Sequence, residues 1–315
     1  MQLFLKVMLD LFYNKSLNHI RLKSKVQNNS DALPFLFKCA AVLLLFILTG
    51  YASYSATITS TASGGNWSAT GSWSGGVVPT SADDVVIANG ATITVDNNFT
   101  CNSVSFTTGA SGSGAGTLTV NSGFQLSVTT SITAPGDKNN GLYTISGSGT
   151  LACSSLVVNN TSSPSGSAST SIRIISTVTV FNISGNLVMN STHTNGGSKA
   201  NNPTLDLQTG TLTVGGSVSF VFDANSNNTD DSATVTLLNG SANANLVLTG
   251  ATPFSKTGTG GVYTKFNGTS AVVHYKGTSA QTIRATGITT YTTLKINNAA
   301  GATLDSATTL SALTI

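Results

Sequence analysis

Six times along the chain an apolar residue stands between two threonines: Thr57-Ile58-Thr59, Thr92-Ile93-Thr94, Thr117-Leu118-Thr119, Thr177-Val178-Thr179, Thr211-Leu212-Thr213 and Thr234-Val235-Thr236. Side chains of an extended segment alternate faces with a period of two, so each triplet puts one aliphatic side chain on one face and two hydroxyls on the other. A buried Val, Leu or Ile contributes only about 1.5–3 kcal/mol, and an isolated hairpin is marginal at best. One such residue per short strand therefore builds a core only when many strands are stacked. That requirement constrains the fold more than any other feature.

Degenerate internal repeats point to the same stacking. Cys101-Asn102-Ser103-Val104-Ser105-Phe106 matches Cys153-Ser154-Ser155-Leu156-Val157-Val158, and both match Tyr291-Thr292-Thr293-Leu294-Lys295-Ile296. Ile183 to Met189 pairs with Val214 to Phe220, and Gly268-Thr269-Ser270-Ala271 recurs as Gly277-Thr278-Ser279-Ala280. Only 8% of residues are charged and there is no glutamate, which argues against helices. Thr, Ser, Asn and Gly between Val, Ile and Leu suit short strands and tight turns. The expected fold is all-β, a right-handed parallel β-helix (solenoid) with irregular loops at 136–141 and 191–202. A β-sandwich array is the alternative, since it shares the turn density and the alternation.

The first 55 residues read as a signal peptide and leader. Residues 39–49, CAAVLLLFILT, are uncharged and follow Lys38, and Ser53-Tyr54-Ser55 offers small residues for a cut after Ser55. The run is shorter than the roughly 20 residues that span a bilayer. Lys38 before Cys39 does not fit a lipoprotein site. The positive net charge comes from this leader, with six basic and two acidic residues; residues 56–315 hold eight basic and nine acidic residues, which leaves no basic surface for nucleic acid. Residues 56–98 are expected to form an N-terminal cap and first strands, and 99–315 the β-solenoid repeats, truncated at the C-terminus inside the apolar strand Leu310 to Ile315. In an exported chain Cys101 and Cys153 either pair or stay as buried thiols.

Trp67 and Trp73, the only tryptophans, fall just before the first regular strands. A stacked fold must close its ends with atypical residues, which makes them a cap; a sugar-stacking platform is the alternative and the weak ligand-binding candidate. Together with Gly75-Gly76, Pro79, Asp84-Val85-Val86-Ile87 and Gly90, they resemble the opening of G8-type modules. Residues 289–304, TTYTTLKINNAAGATL, resemble a repeat unit of large surface proteins of Gram-negative bacteria. The resemblance implies an exported β-solenoid of adhesive character and supplies no catalytic residue.

No catalytic set emerges. Asp83 and Asp84 read as a turn and a strand start. Asp223, Asn225, Asn227, Asp230 and Asp231 space oxygens as a calcium loop does, but Asn228 and Thr234 replace the glycine and glutamate of an EF-hand, so structural calcium is a weak metal candidate and no other cofactor is expected. Asn228-Thr229-Asp230 matches one polygalacturonase motif without its partners. His193 and His274 belong to no zinc-spaced cluster. The function expected is an exported structural or adhesive segment, non-catalytic, secreted or on the outer cell surface, with extracellular polysaccharide or cell-surface components as partners and no permanent membrane span after cleavage. A carbohydrate-binding or polysaccharide-processing β-helix is the alternative. Ice binding by ranked Thr-x-Thr is the minor one, weakened by the irregular spacing of the triplets.

Overall fold

The structure is a computed structural model and describes residues 55–108, 116–136, 141–160, 170–192, 201–222, 232–237, 244–258, 261–266, 271–284, 288–307 and 312–315. The chain divides into two units, Met1–Ser53 and Tyr54–Ile315. The first unit, with the apolar run of the leader, lies outside the described residues.

Apart from one 3-10 turn at Thr70–Ser72, every regular element among the described residues is a β-strand. Every pair of these strands runs parallel. Neighbours in a sandwich are linked by hairpins and run antiparallel, whereas parallel neighbours need a crossover between them. The β-sandwich alternative is therefore not met.

The strands form a 15-stranded sheet, a nine-stranded sheet and one separate pair, Gln281–Ile283 with Ala302–Leu304. The largest sheet holds two rows side by side, because Gln125–Ala134 and Thr150–Asn160 are long enough to belong to both. One row runs from Phe99–Cys101 through those two strands to Val180–Ile183, Gly210–Val214, Ala244–Leu248, Val272–Tyr275 and Thr293–Ile296. The other begins with Thr57–Thr59, Asp84–Ile87 and Ser103–Phe106 and continues to Leu187–Ser191, Val218–Phe222 and Phe254–Thr257. Between Phe99 and Thr257 the chain passes from the first row to the second, crosses to the nine-stranded sheet, and returns to the first row one strand further on.

Alternation places the core. Cys101, Val128, Cys153, Ile183, Val214, Leu248, Tyr275 and Ile296 occupy one column of consecutive ladder positions, and all but Ile296 are buried. The step along the column is 34 residues from Val214 to Leu248 and 21 from Tyr275 to Ile296, yet the register holds. Inward residues from both sheets join one hydrophobic cluster.

The column resolves the repeats. Cys101 and Cys153 lie two strands apart, with Val128 between them. The strand carrying Val128 escapes notice because its register shifts: Cys153 pairs with Val128, but Ser155 already pairs with Ser131. Ile183–Met189 and Val214–Phe220 are immediate neighbours, pairing Ile183 with Val214, Leu187 with Val218 and Met189 with Phe220. The third match was misaligned. Tyr291 ends a strand of the nine-stranded sheet while Thr293–Ile296 belongs to the first row, so that segment spans a corner. Gly277 to Ala280 is a turn before Gln281–Ile283, and its counterpart Gly268 to Ser270 lies outside the described residues.

The triplets scatter over different surfaces. Thr92–Thr94 and Thr117–Thr119 stack in register in the nine-stranded sheet, which also contains Thr234 to Thr236. Thr57–Thr59 and Thr211–Thr213 are in the other sheet. Thr177 to Thr179 is not a strand; it turns the corner between Thr170–Ser176 and Val180–Ile183, with Val178 buried at the bend.

Both thiols are buried and free. Two strand spacings separate them, about 10 Å at ~4.8 Å each, beyond the ~7 Å reach of a disulfide. Burial pushes each thiol up to about 12, aided at Cys101 by the carboxylates of Asp84 and Asp83.

Candidate functional site

The two tryptophans lie where the first row begins. The second row and the nine-stranded sheet start at Thr57–Thr59 and Gly65–Asn66, but the first row starts only at Phe99–Cys101. Trp67 N–H donates to Thr94 O at 2.7 Å, carrying the parallel ladder one residue past Asn66. Its ring stacks on Phe99 at 5.7 Å and meets Trp73 edge-on at 5.0 Å. Trp73 Nε1 donates to Trp67 O at 2.7 Å. The segment from Thr61 to Ser74 folds back beside the first strand through Thr61 N–H to Ser72 O and Ser74 N–H to Thr59 O, both 2.8 Å, around the antiparallel bridge of Ser60 with Trp73. Gly64 makes the fold-back possible: it has φ +64°, and a Cβ there would stand 2.1 Å from Thr92 O.

Trp67 is 0% exposed and Trp73 2%. Neither ring offers a face on which a sugar could stack.

The neighbouring aspartates are ties. Asp83 accepts from Thr80 N–H at 2.8 Å, Thr80 Oγ1 at 2.7 Å and Ala56 N–H at 3.1 Å. Asp84 accepts from Ser103 Oγ, from Asn102 Nδ2 at 2.8 Å and from Ser55 Oγ at 3.0 Å. Asp96 holds Ser68 through its N–H at 3.0 Å and its hydroxyl. Burial pulls the Asp83 carboxyl upward, but its Thr80 and Ala56 donors outweigh that and hold it below the usual carboxylate range. The Ser103 hydroxyl, with Asn102 and Ser55, holds Asp84 down against its own burial.

A carboxylate whose pKa is lower folded than unfolded stabilises the fold above the unfolded value, about 3.9, and loses that contribution as pH falls through the folded value. Stability of the tryptophan segment is thus expected to be level from neutral pH down to about pH 5 and to fall below about pH 4. Both tryptophans sit in this segment, so their fluorescence during acid titration reports it. Replacing Asp83 and Asp84 with Asn should lower stability at neutral pH and flatten the acid dependence. An unchanged acid midpoint in that variant would show that the ties do not control it.

The remaining candidates divide. Asp223, Asn225, Asn227, Asp230 and Asp231 lie outside the described residues, as do Asn228, Thr229 and His193. His274 sits mid-strand in Val272–Tyr275, pointing outward between buried Val273 and Tyr275. It pairs in the ladder with Val247 on one side and Lys295 on the other. Burial, then Lys295 and Lys276, hold the imidazole below its ordinary pKa, and its Nε2 has no hydrogen-bond partner among the described residues.

Sequence reasoning missed an open groove of about 440 Å³ on the outside of the largest sheet. One wall is an outward ladder row, Ser127, Ala152, Asn182 and Thr213. The other is formed where the chain leaves the first row: Thr129 and Ser154 midway along the two long strands, and Ser184, Gly215 and Thr249 just after Val180–Ile183, Gly210–Val214 and Ala244–Leu248. Backbone bonds order this corner, with Ser184 N–H to Cys153 O at 2.9 Å, Gly215 N–H to Ile183 O at 2.8 Å and Thr249 N–H to Val214 O at 3.0 Å. The depression exists because its residues are small, and Gly215 has no alternative: a Cβ there would stand 2.3 Å from Ser184 O. The signal was the repeated Ser and Gly at the corner, legible only once the column register is known.

Compared with protein-family models, with curated proteins and with solved structures, the chain matches none.

Proposed function

We propose that this chain is an exported structural or adhesive segment of a cell-surface or secreted protein, its strands wound as a right-handed parallel β-helix. The observation that carries the reading is the parallel register maintained from Phe99–Cys101 to Thr293–Ile296 through steps of unequal length. Such a stack grows in length without needing a larger core, which suits a spacer that holds a surface away from the cell. Many of its outward ladder positions carry short neutral hydroxyl or amide side chains, such as Ser127, Asn182 and Thr213. Asp83, Asp84 and Asp96 commit their oxygens to backbone, hydroxyl and amide donors, a use that favours a scaffold over acid–base chemistry.

Export is tested directly. Expressed in full in a Gram-negative host, the chain is expected outside the cytoplasm with Ala56 as its first residue by N-terminal sequencing. Intact chain retained in the cytoplasm would remove the reading. The groove favours the second reading, a carbohydrate-binding β-helix, and bears on what such a surface holds.

A further inference from the structure

We infer that the outward track leading from the groove to His274, Lys276 and Lys295 is a docking surface for an extended, carboxylate-bearing polysaccharide. The row that forms one wall of the groove does not stop at Thr213. It continues in register to Val247, then His274, then Lys295. The corner wall continues as well: Lys276 N–H donates to Leu248 O at 2.9 Å, repeating one strand later the bond that places Thr249. Three basic side chains therefore gather at one end of an uncharged trough. Both lysines are exposed, and neither they nor His274 has an ion-pair partner among the described residues.

The two lysine ammonium groups, left unpaired on one face of a chain this poor in charge, are complementary to an anionic ligand. The trough spans five strands, about 19 Å at ~4.8 Å per strand, and the basic end adds two more. Its walls offer hydroxyl and amide groups at each step, the partners that sugar hydroxyls need. A single-stranded nucleic acid fits less well. It carries a phosphate at every nucleotide and is held by cations along its whole path and by aromatic stacking, whereas here the cations lie at one end and no aromatic side chain lines the groove. A polymer rich in hydroxyls with carboxylates on its sugars matches both halves of the track.

This inference deepens the adhesive reading, and its test does not depend on export. The folded chain is titrated by calorimetry with polygalacturonate oligosaccharides, with dextran and with an oligothymidylate of similar length. Polygalacturonate is expected to bind with an affinity that falls as salt rises; dextran and the oligonucleotide should bind at least about tenfold more weakly. Replacing Lys276 and Lys295 together with Gln should weaken binding about tenfold and flatten its salt dependence. Ala152→Tyr, which fills the trough away from the charges, should also weaken it. Both sets of positions are at the surface, and an unchanged circular dichroism melting curve confirms that each variant is folded. The inference is overturned if polygalacturonate does not bind, if dextran or the oligonucleotide binds as tightly, or if the folded variants bind like the parent.

Discussion

Trp67→Ala is expected to destabilise the N-terminal turns by about 4 kcal/mol, in the range for large aromatic side chains removed from a core. The ring is fully buried, stacked on Phe99 and flanked by Trp73, and no neighbouring strand can close over the vacancy because the first row begins beneath it. Trp73→Phe separates packing from polarity. It keeps most of the ring contact but removes the donor to Trp67 O, leaving a buried carbonyl at a cost of about 1–2 kcal/mol. Stacked folds lose stability locally, since each turn contacts only its neighbours. Hydrogen exchange in Trp67→Ala should therefore accelerate across Ile58–Val95 and leave Leu187–Phe222 near its original protection. Uniform loss, or none, would contradict the end-closing role.

The second large effect is expected at Gln281. Its side chain is 2% exposed and its amide is fully engaged. Oε1 accepts from Gly277 N–H and from Asn298 Nδ2, both at 2.9 Å, while Nε2 donates to Leu248 O at 3.0 Å and Gly250 O at 2.8 Å. One side chain thus connects the segments that follow three neighbouring strands, Ala244–Leu248, Val272–Tyr275 and Thr293–Ile296. Gln281→Leu fills similar space but orphans Gly277 N–H and Gly250 O; Leu248 O keeps its bond from Lys276 N–H. Two buried orphans at about 1–3 kcal/mol each give a loss near 4 kcal/mol. Gln281→Glu sharpens the test. A carboxylate accepts from Gly277 and Asn298 but cannot donate to the two carbonyls, so this variant should be more stable at pH 5, where protonation restores a donor, than at pH 8. Equal stability at the two pH values would mean that the carbonyls are satisfied in another way.

Much of this was legible from residue types. Thr-apolar-Thr announced half-buried strands, and in Thr57–Thr59, Thr92–Val95, Thr117–Val120 and Gly210–Val214 the middle residue is buried while the threonines face out. The same pattern misled at Thr177-Val178-Thr179, where Val178 fills the inside of a bend: a corner residue and a strand residue can both be buried, and only the ladder distinguishes them. The Ile183 and Val214 repeats were found because no irregularity separates them. The Cys101 and Cys153 match skips the strand between them because that strand carries an extra residue that breaks the pattern. Parallel pairing itself is not written in any one strand; it follows from how far the chain travels before pairing. The amide of Gln281 was invisible for a related reason, since its partners Leu248, Gly277 and Asn298 meet only after the strands are stacked.

The unequal steps of the inward column have one more consequence. Additional residues are accommodated in the excursions between strands, at an entropic cost that rises by only about 0.6 kcal/mol for each doubling of loop length. Within a strand, one added residue reverses which side chains face the interior unless a bulge absorbs it, as happens between Val128 and Ser131. Evolution can thus lengthen, decorate or replace the connections almost freely while the ladder positions stay fixed, so variation among descendants of this chain should concentrate in its excursions and not in its rungs.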